Sequence, residues 1–220
     1  MNINELIDSG ALGDFEMSFS GKDLTSLEGL EKFTFVTSLN LSNNENLKSL
    51  KGIEKLTNLK KLVMHVAQIE SLELLEYLEK LEVLEVSFCN IKSLKGLENL
   101  TLLTTVNVYA NKLNSLEFLP SSIKKLDCGG NESLSEVLEL LKFKDISLDI
   151  FNTPSNKKFI EFANRKNLNY NFSGNYNKAE YKKIFIPLLK AYELEKHLEP
   201  GDAKRGAASL SETGLFDFKN

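Results

Sequence analysis

The sequence predicts an α/β solenoid. It should form a horseshoe with a concave parallel β-sheet of about eight strands, 3₁₀ and helical turns on the convex side, and a helix capping the C-terminal end. Three observations predict it. A strand-and-turn pattern, apolar-x-apolar-x-x-Asn/Cys, recurs along most of the chain at nearly fixed spacing. Each early copy is followed by an arm headed by Ser-Leu, and apolar residues along that arm recur every three positions. A period of about 20 to 29 residues with one strand per unit marks a stacked array, because a single unit cannot bury its apolar face alone.

The clearest unit is Leu84-Glu85-Val86-Ser87-Phe88-Cys89-Asn90-Ile91. Aligned on the first inward strand residue, the units fall at Met17, Leu39, Leu62, Leu84, Val106, Leu126, Ile146 and Tyr170. The second inward residue follows two later, at Phe19, Leu41, Met64, Val86, Val108, Cys128, Leu148 and Phe172. Three further on comes a position occupied by Asn44, Ala67, Cys89, Asn111 and Asn131, with Phe151 in the seventh unit. An Asn there can bond the backbone of the tight turn leaving the strand.

The arms begin at Ser26-Leu27, Ser49-Leu50, Ser71-Leu72, Ser93-Leu94 and Ser115-Leu116. Inward residues then step by three, as in Leu50-Ile53-Leu56 and Leu94-Leu97-Leu100. That period suits a 3₁₀ turn, and the recurring Ser is placed to cap its start. These units resemble the short 22-residue class of leucine-rich repeats found in internalins and in the regulatory subunit of a protein phosphatase. The resemblance covers residues 15–152 most strongly. It implies a leucine-rich repeat solenoid with parallel strands on the concave face, and a role in protein–protein interaction.

Later units change style. Leu134, Val137, Leu138 and Leu141 have α-helical spacing, so 134–143 is expected to be an α-helix. A second helix should begin at Pro154, and Leu168-x-Tyr170-x-Phe172 alternates as an eighth, terminal strand. Asn177-x-x-Glu180 reads as a capping box opening a helix with the stripe Tyr181, Ile184, Phe185, Leu188, Leu189 and Tyr192, interrupted by Pro187. The expected organisation is an N-terminal cap over 1–14, the repeat domain over 15–176, a capping helix over 177–199 and a tail over 200–220.

Composition narrows the function. The net charge is −4 at pH 7, with Lys and Glu interleaved. Nucleic acid and anionic membranes both need a basic face, so neither is the expected partner. The N-terminal residues lack the basic, apolar pattern of a secretory signal, and no apolar run is long enough to span a bilayer; a cytoplasmic location is expected. Two cysteines cannot build a disulfide framework, and two histidines sit in no metal or catalytic motif. Cys89 and Cys128 fall where buried core thiols are the simplest explanation. Gly129-Gly130 lacks the Lys-Ser/Thr of a phosphate loop. No cofactor is expected, and the chain reads as non-enzymatic and monomeric when free.

Function is then expected on the concave face, where alternate strand residues point away from the core. Small polar residues dominate both ends of that face. In the middle, Val63, His65, Val66, Val83, Glu85, Phe88, Asn107, Tyr109 and Asp127 fall on adjacent units and form the candidate partner-binding patch. A contiguous apolar and aromatic patch marks an interaction site, although valines on strands also reflect β-propensity. His65 reads as a solvent-facing strand residue rather than a ligand or base. The convex Glu/Lys residues read as a solvated face. A competing reading is a self-assembling repeat protein that uses the C-terminal helix or tail.

Overall fold

The computed structural model describes residues 15–143, 145–165 and 174–196. Eight strands form one sheet in sequence order: β1 (Glu16–Ser18), β2 (Ser38–Asn40), β3 (Lys61–His65), β4 (Val83–Ser87), β5 (Thr105–Asn107), β6 (Lys125–Asp127), β7 (Ser147–Asp149) and β8 (Asn175–Tyr176). β1 to β7 are parallel neighbours, each joined to the next through a return arm. The inward pairs Leu39/Leu41, Leu62/Met64, Leu84/Val86 and Val106/Val108 are buried between sheet and arms.

Strand length follows from one residue per unit. Where the residue between the two inward positions is Asn or Asp, its side chain accepts the backbone N–H two residues on. Asn40 takes Ser42, Asn107 takes Tyr109, Asp127 takes Gly129 and Asp149 takes Phe151, at 2.8–3.1 Å. That local bond competes with the sheet ladder, and each of these strands stops after three residues. In β3 and β4 the same position holds Val63 and Glu85, and pairing runs on through His65 and Ser87 to five residues.

The turns leaving β2, β5 and β6 are held by buried Asn side chains in one column. Asn111 donates through Nδ2 to the carbonyls of Val86, Val108 and Tyr109 and accepts from Ile91 N–H through Oδ1. Asn44, three units earlier, and Asn131, one unit later, repeat the arrangement. Each side chain thus ties its own turn to the preceding unit. Cys89 substitutes weakly, with Sγ 3.8 Å from the Met64 carbonyl oxygen.

The period-three arms form 3₁₀ turns at Leu30–Lys32, Ile53–Lys55, Glu73–Tyr77 and Leu138–Lys142. The recurring Ser does not cap them directly. Ser49, Ser71 and Ser93 each accept the N–H two residues on, and of these only the Glu73 N–H belongs to a 3₁₀ turn. Three of the convex glutamates are more than a solvated face: Glu31, Glu54 and Glu98 accept the N–H of Gly29, Gly52 and Gly96.

Two sequence expectations are corrected. The 134–143 segment keeps the period of three: Leu134, Val137, Leu140 and Phe143 are buried, Leu138 and Leu141 are exposed, and the helix is 3₁₀. The seventh unit is shifted by two residues. Leu148, not Ile146, pairs with Leu126, so Leu148 and Ile150 are its inward pair and Thr153, not Phe151, takes the Asn position. Thr153 Oγ1 donates to the Ile150 carbonyl and accepts from Asn156 N–H, so it also caps helix α1 (Pro154–Arg165), with Pro154 in the first helical position. The described eighth strand is β8, which runs antiparallel to β7; the 168–172 segment lies outside the described residues, as do 1–14 and 197–220.

The C-terminal helix opens on the expected capping box, Asn177 with Glu180. It runs as α2 (Lys178–Glu180), a π-helical turn (Tyr181–Phe185) and α3 (Ile186–Lys196). The π turn immediately precedes Pro187, which has no N–H to donate to the turn before it. Tyr181, Phe185, Leu188 and Leu189 are buried, so the stripe a self-assembling role would use is covered within the chain. Phe159 of α1 meets Phe185 and Tyr192 edge-on at 5.6 and 5.3 Å, and Tyr181 Oη donates to the Leu140 carbonyl.

Asn111→Ala should leave the Val86 carbonyl and the Ile91 N–H without the bonds it supplies in the middle of the stack, while the Val108 and Tyr109 carbonyls keep those from Asn131 and the Phe88 N–H. The expected cost is about 3 kcal/mol, read as a lower urea midpoint at unchanged slope.

Candidate partner-binding face

The nine candidate residues come together on β3 to β6 and the turns that leave them. Val63, Glu85, Asn107 and Asp127 are successive register partners in the middle column of the concave face. Val83 lies between Lys61 and Thr105 in the preceding column. His65, Ser87 and Tyr109 belong to the following column, and Val66 and Phe88 to the turn beyond it. All nine are at least partly exposed. Asn107 and Asp127 have one oxygen committed to their own turns, whereas Val63 and Val83 present apolar surface alone.

A polar cluster occupies the centre. The His65 ring bonds through Nδ1 to Ser87 Oγ, and its Nε2 lies 3.9 Å from Glu85 Oε2. Lys61 Nζ lies 3.4 Å from Glu85 Oε1. The His65 N–H donates to Ser42 Oγ at 3.2 Å. His65 is therefore half-buried and held on two sides, more constrained than a free strand side chain.

The turn column is left-handed. Gly21, Asn43, Val66, Phe88, Ala110, Gly130 and Asn152 all have φ between 52° and 68°. Gly and Asn tolerate that conformation; a β-branched or bulky residue is strained there by about 1–2 kcal/mol. Val66 and Phe88 occupy it in consecutive units. Phe88 is 58% exposed, and its ring meets Tyr109 edge-on at 5.5 Å. Tyr109 in turn lies against Gly129 and Gly130. A Cβ on either glycine would come within 3.2 or 3.3 Å of its ring, and one on Gly129 would meet the Phe151 carbonyl at 2.9 Å. The glycine pair thus makes room for an aromatic ring and a close backbone.

No protein-family model matches the chain, and no curated protein matches its sequence. Solved structures do. An internalin, InlF from Listeria monocytogenes, is similar at a TM-score of 0.56 and 21% identity, over 70% of this chain and 45% of that one. The chain has the leucine-rich repeat fold. A second L. monocytogenes internalin, InlC2, matches at a TM-score of 0.46 and 20% identity, over 62% of this chain and 55% of that one. A leucine-rich repeat protein from Leptospira interrogans matches at 0.47 and 20%, over 65% and 44%. The chain spans less than half the length of the InlF and Leptospira structures.

In leucine-rich repeat terms, the corrected seventh unit adds two residues to the face. Asp149 is the register partner of Asp127, and Phe151 follows Gly129 in the column of Tyr109. Phe151 is 56% exposed. A spacing of 22 from Leu126 points to Leu148 and would have found both; an apolar Ile146 two residues earlier obscured it. The thiols are unsuited to chemistry: burial pushes Cys89 up to about 11 and Cys128 well above its ordinary value. Among the described residues, no group of three His, Cys, Asp or Glu side chains could hold a metal ion, and no helix is long and apolar enough to cross a membrane.

Asp127 is held above the ordinary carboxylate range, first by burial and then by the like charge of Asp149, despite the Gly129 N–H. A carboxyl with a raised folded pKa binds its proton more tightly folded than unfolded. It detracts from stability as pH rises from the ordinary carboxylate range through its raised value, and fully above that. Asp127→Asn should therefore be more stable than wild type at neutral pH, with the difference vanishing on acidification through the ordinary range; thermal melts across a pH series read this. Val66→Asn places at the strained turn a residue found there in two other units. It should raise stability by about 1 kcal/mol, seen as a higher urea midpoint.

Proposed function

We propose that the chain is a non-catalytic recognition scaffold that grips one protein partner on its concave side, with Val66, Phe88 and Tyr109 as anchors. One observation carries this reading. Two bulky apolar side chains sit at left-handed positions that five other units fill with Gly, Asn or Ala, and neither side chain is needed to bury the core. Strain held at an exposed site, where the fold offers an easy alternative, points to a use for the side chain. Phe and Tyr are also anchor types at interfaces. The internalin-like repeats favour a bacterial setting, where an effector, a toxin-neutralising protein or a regulator would need such a face, and we place the chain in the cytoplasm.

A photo-crosslinking amino acid at position 88, compared with one at convex position 98, tests the reading in the cells that make the protein. A discrete protein adduct is expected from position 88 alone. Phe88→Ala and Tyr109→Ala should each weaken capture of that adduct's partner by about 2 kcal/mol. Equal adducts from both faces, or none from position 88, would refute it.

A further inference from the structure

We propose that the partner presents a short segment pairing an arginine or lysine with an apolar side chain, the apolar group on the ledge of Phe88, Tyr109 and Phe151 and the cation over Asp127 and Asp149. The proposal rests on the concave-face reading and names the chemistry it would recognise. Phe88 and Phe151 are each more than half exposed, and Tyr109 connects Phe88 to the glycine pair that Phe151 adjoins. The ledge therefore runs across four units, with a row of middle-column residues beside it.

Charge along that row is uneven, and this selects the occupant. Glu85 has Lys61 at 3.4 Å. Asp127 and Asp149 face each other in register, and what reaches them is neutral: the Gly129 N–H at 3.1 Å, the Phe151 N–H at 2.8 Å and the Asn175 amide at 3.1 Å. Lys125 attracts Asp127 from the neighbouring column, but no ion pair to either carboxylate forms among the described residues. A cation placed over the two carboxylates would offset their mutual repulsion, which adds to the larger effect of burial in raising the proton affinity of Asp127. Arginine suits the place better than lysine, since its planar guanidinium can take a carboxylate in two bonds and stack on an aromatic face. The chain's net negative charge would also speed the approach of a basic segment.

Selection of a displayed library of random linear peptides on the intact chain tests this. The expected winners carry Arg or Lys within a few residues of an aromatic or aliphatic side chain. They should bind the Asp127→Asn/Asp149→Asn double variant about tenfold more weakly, the usual scale for losing a charge partner at an interface. Winners without a cation, cationic winners indifferent to the double variant, no enrichment over bare matrix, or a second copy of the chain seated on the face would each overturn it. Tyr109→Ala separates the two readings. Cation-free winners that it weakens leave the concave face standing, whereas winners it does not touch remove both proposals.

Discussion

Every unit of this solenoid must turn its chain sharply out of a buried strand, and the turn brings backbone carbonyls and N–H groups into the interior with no sheet partner. Leaving such groups unpaired costs about 1–3 kcal/mol each, and the stack would multiply that cost at every unit. Asn44, Asn111 and Asn131 meet it in three units by reaching both their own turns and carbonyls of the preceding unit. The same bonds that satisfy one turn thus set the spacing between two. Parallel register and the continuous leucine core follow from that spacing.

The turn chemistry also explains which parts of the fold were legible. Asn44, Asn111 and Asn131 announce their units because no apolar residue could do their work, and the arms announce themselves because three-residue spacing puts every third side chain inside. The seventh unit was obscured because Thr153 replaces Asn, a smaller group making fewer bonds, and because Ile146, itself buried, supplied a false first inward residue. A register two residues earlier would put Phe151 in the turn instead of on the face and take Asp149 away from Asp127. The 134–143 arm has the apolar spacing of an α-helix because Leu138 and Leu141 are apolar, yet both are exposed; hydrophobicity alone does not separate a core position from a surface leucine.

The candidate face was legible in outline because the repeat grammar dictates which positions are free. Its energetics were not, since the left-handed turn conformation depends on backbone geometry that Gly21, Asn43 and Gly130 hint at only when the units are aligned. Once the column is seen to be left-handed throughout, Val66 and Phe88 change from ordinary apolar residues on a turn into two residues held against their conformational preference.

The same turn geometry separates the units by what their concave side chains can do. In β2, β5, β6 and β7 the middle residue is bound to the N–H two positions on, which ends the strand and restricts the side chain. In β3 and β4 that bond is absent, the strands are longer, and Val63 and Glu85 project from a continuous ladder. The strained Val66 and Phe88 follow those two strands and no others. Loss of the local bond and acquisition of bulky turn residues therefore coincide in the same two units. Core packing asks for neither change, since Leu62, Met64, Leu84 and Val86 are buried like their counterparts in the units that kept the bond. A surface that departs twice from its own repeat, at adjacent places and without benefit to the core, is where a requirement from outside the chain acts most directly.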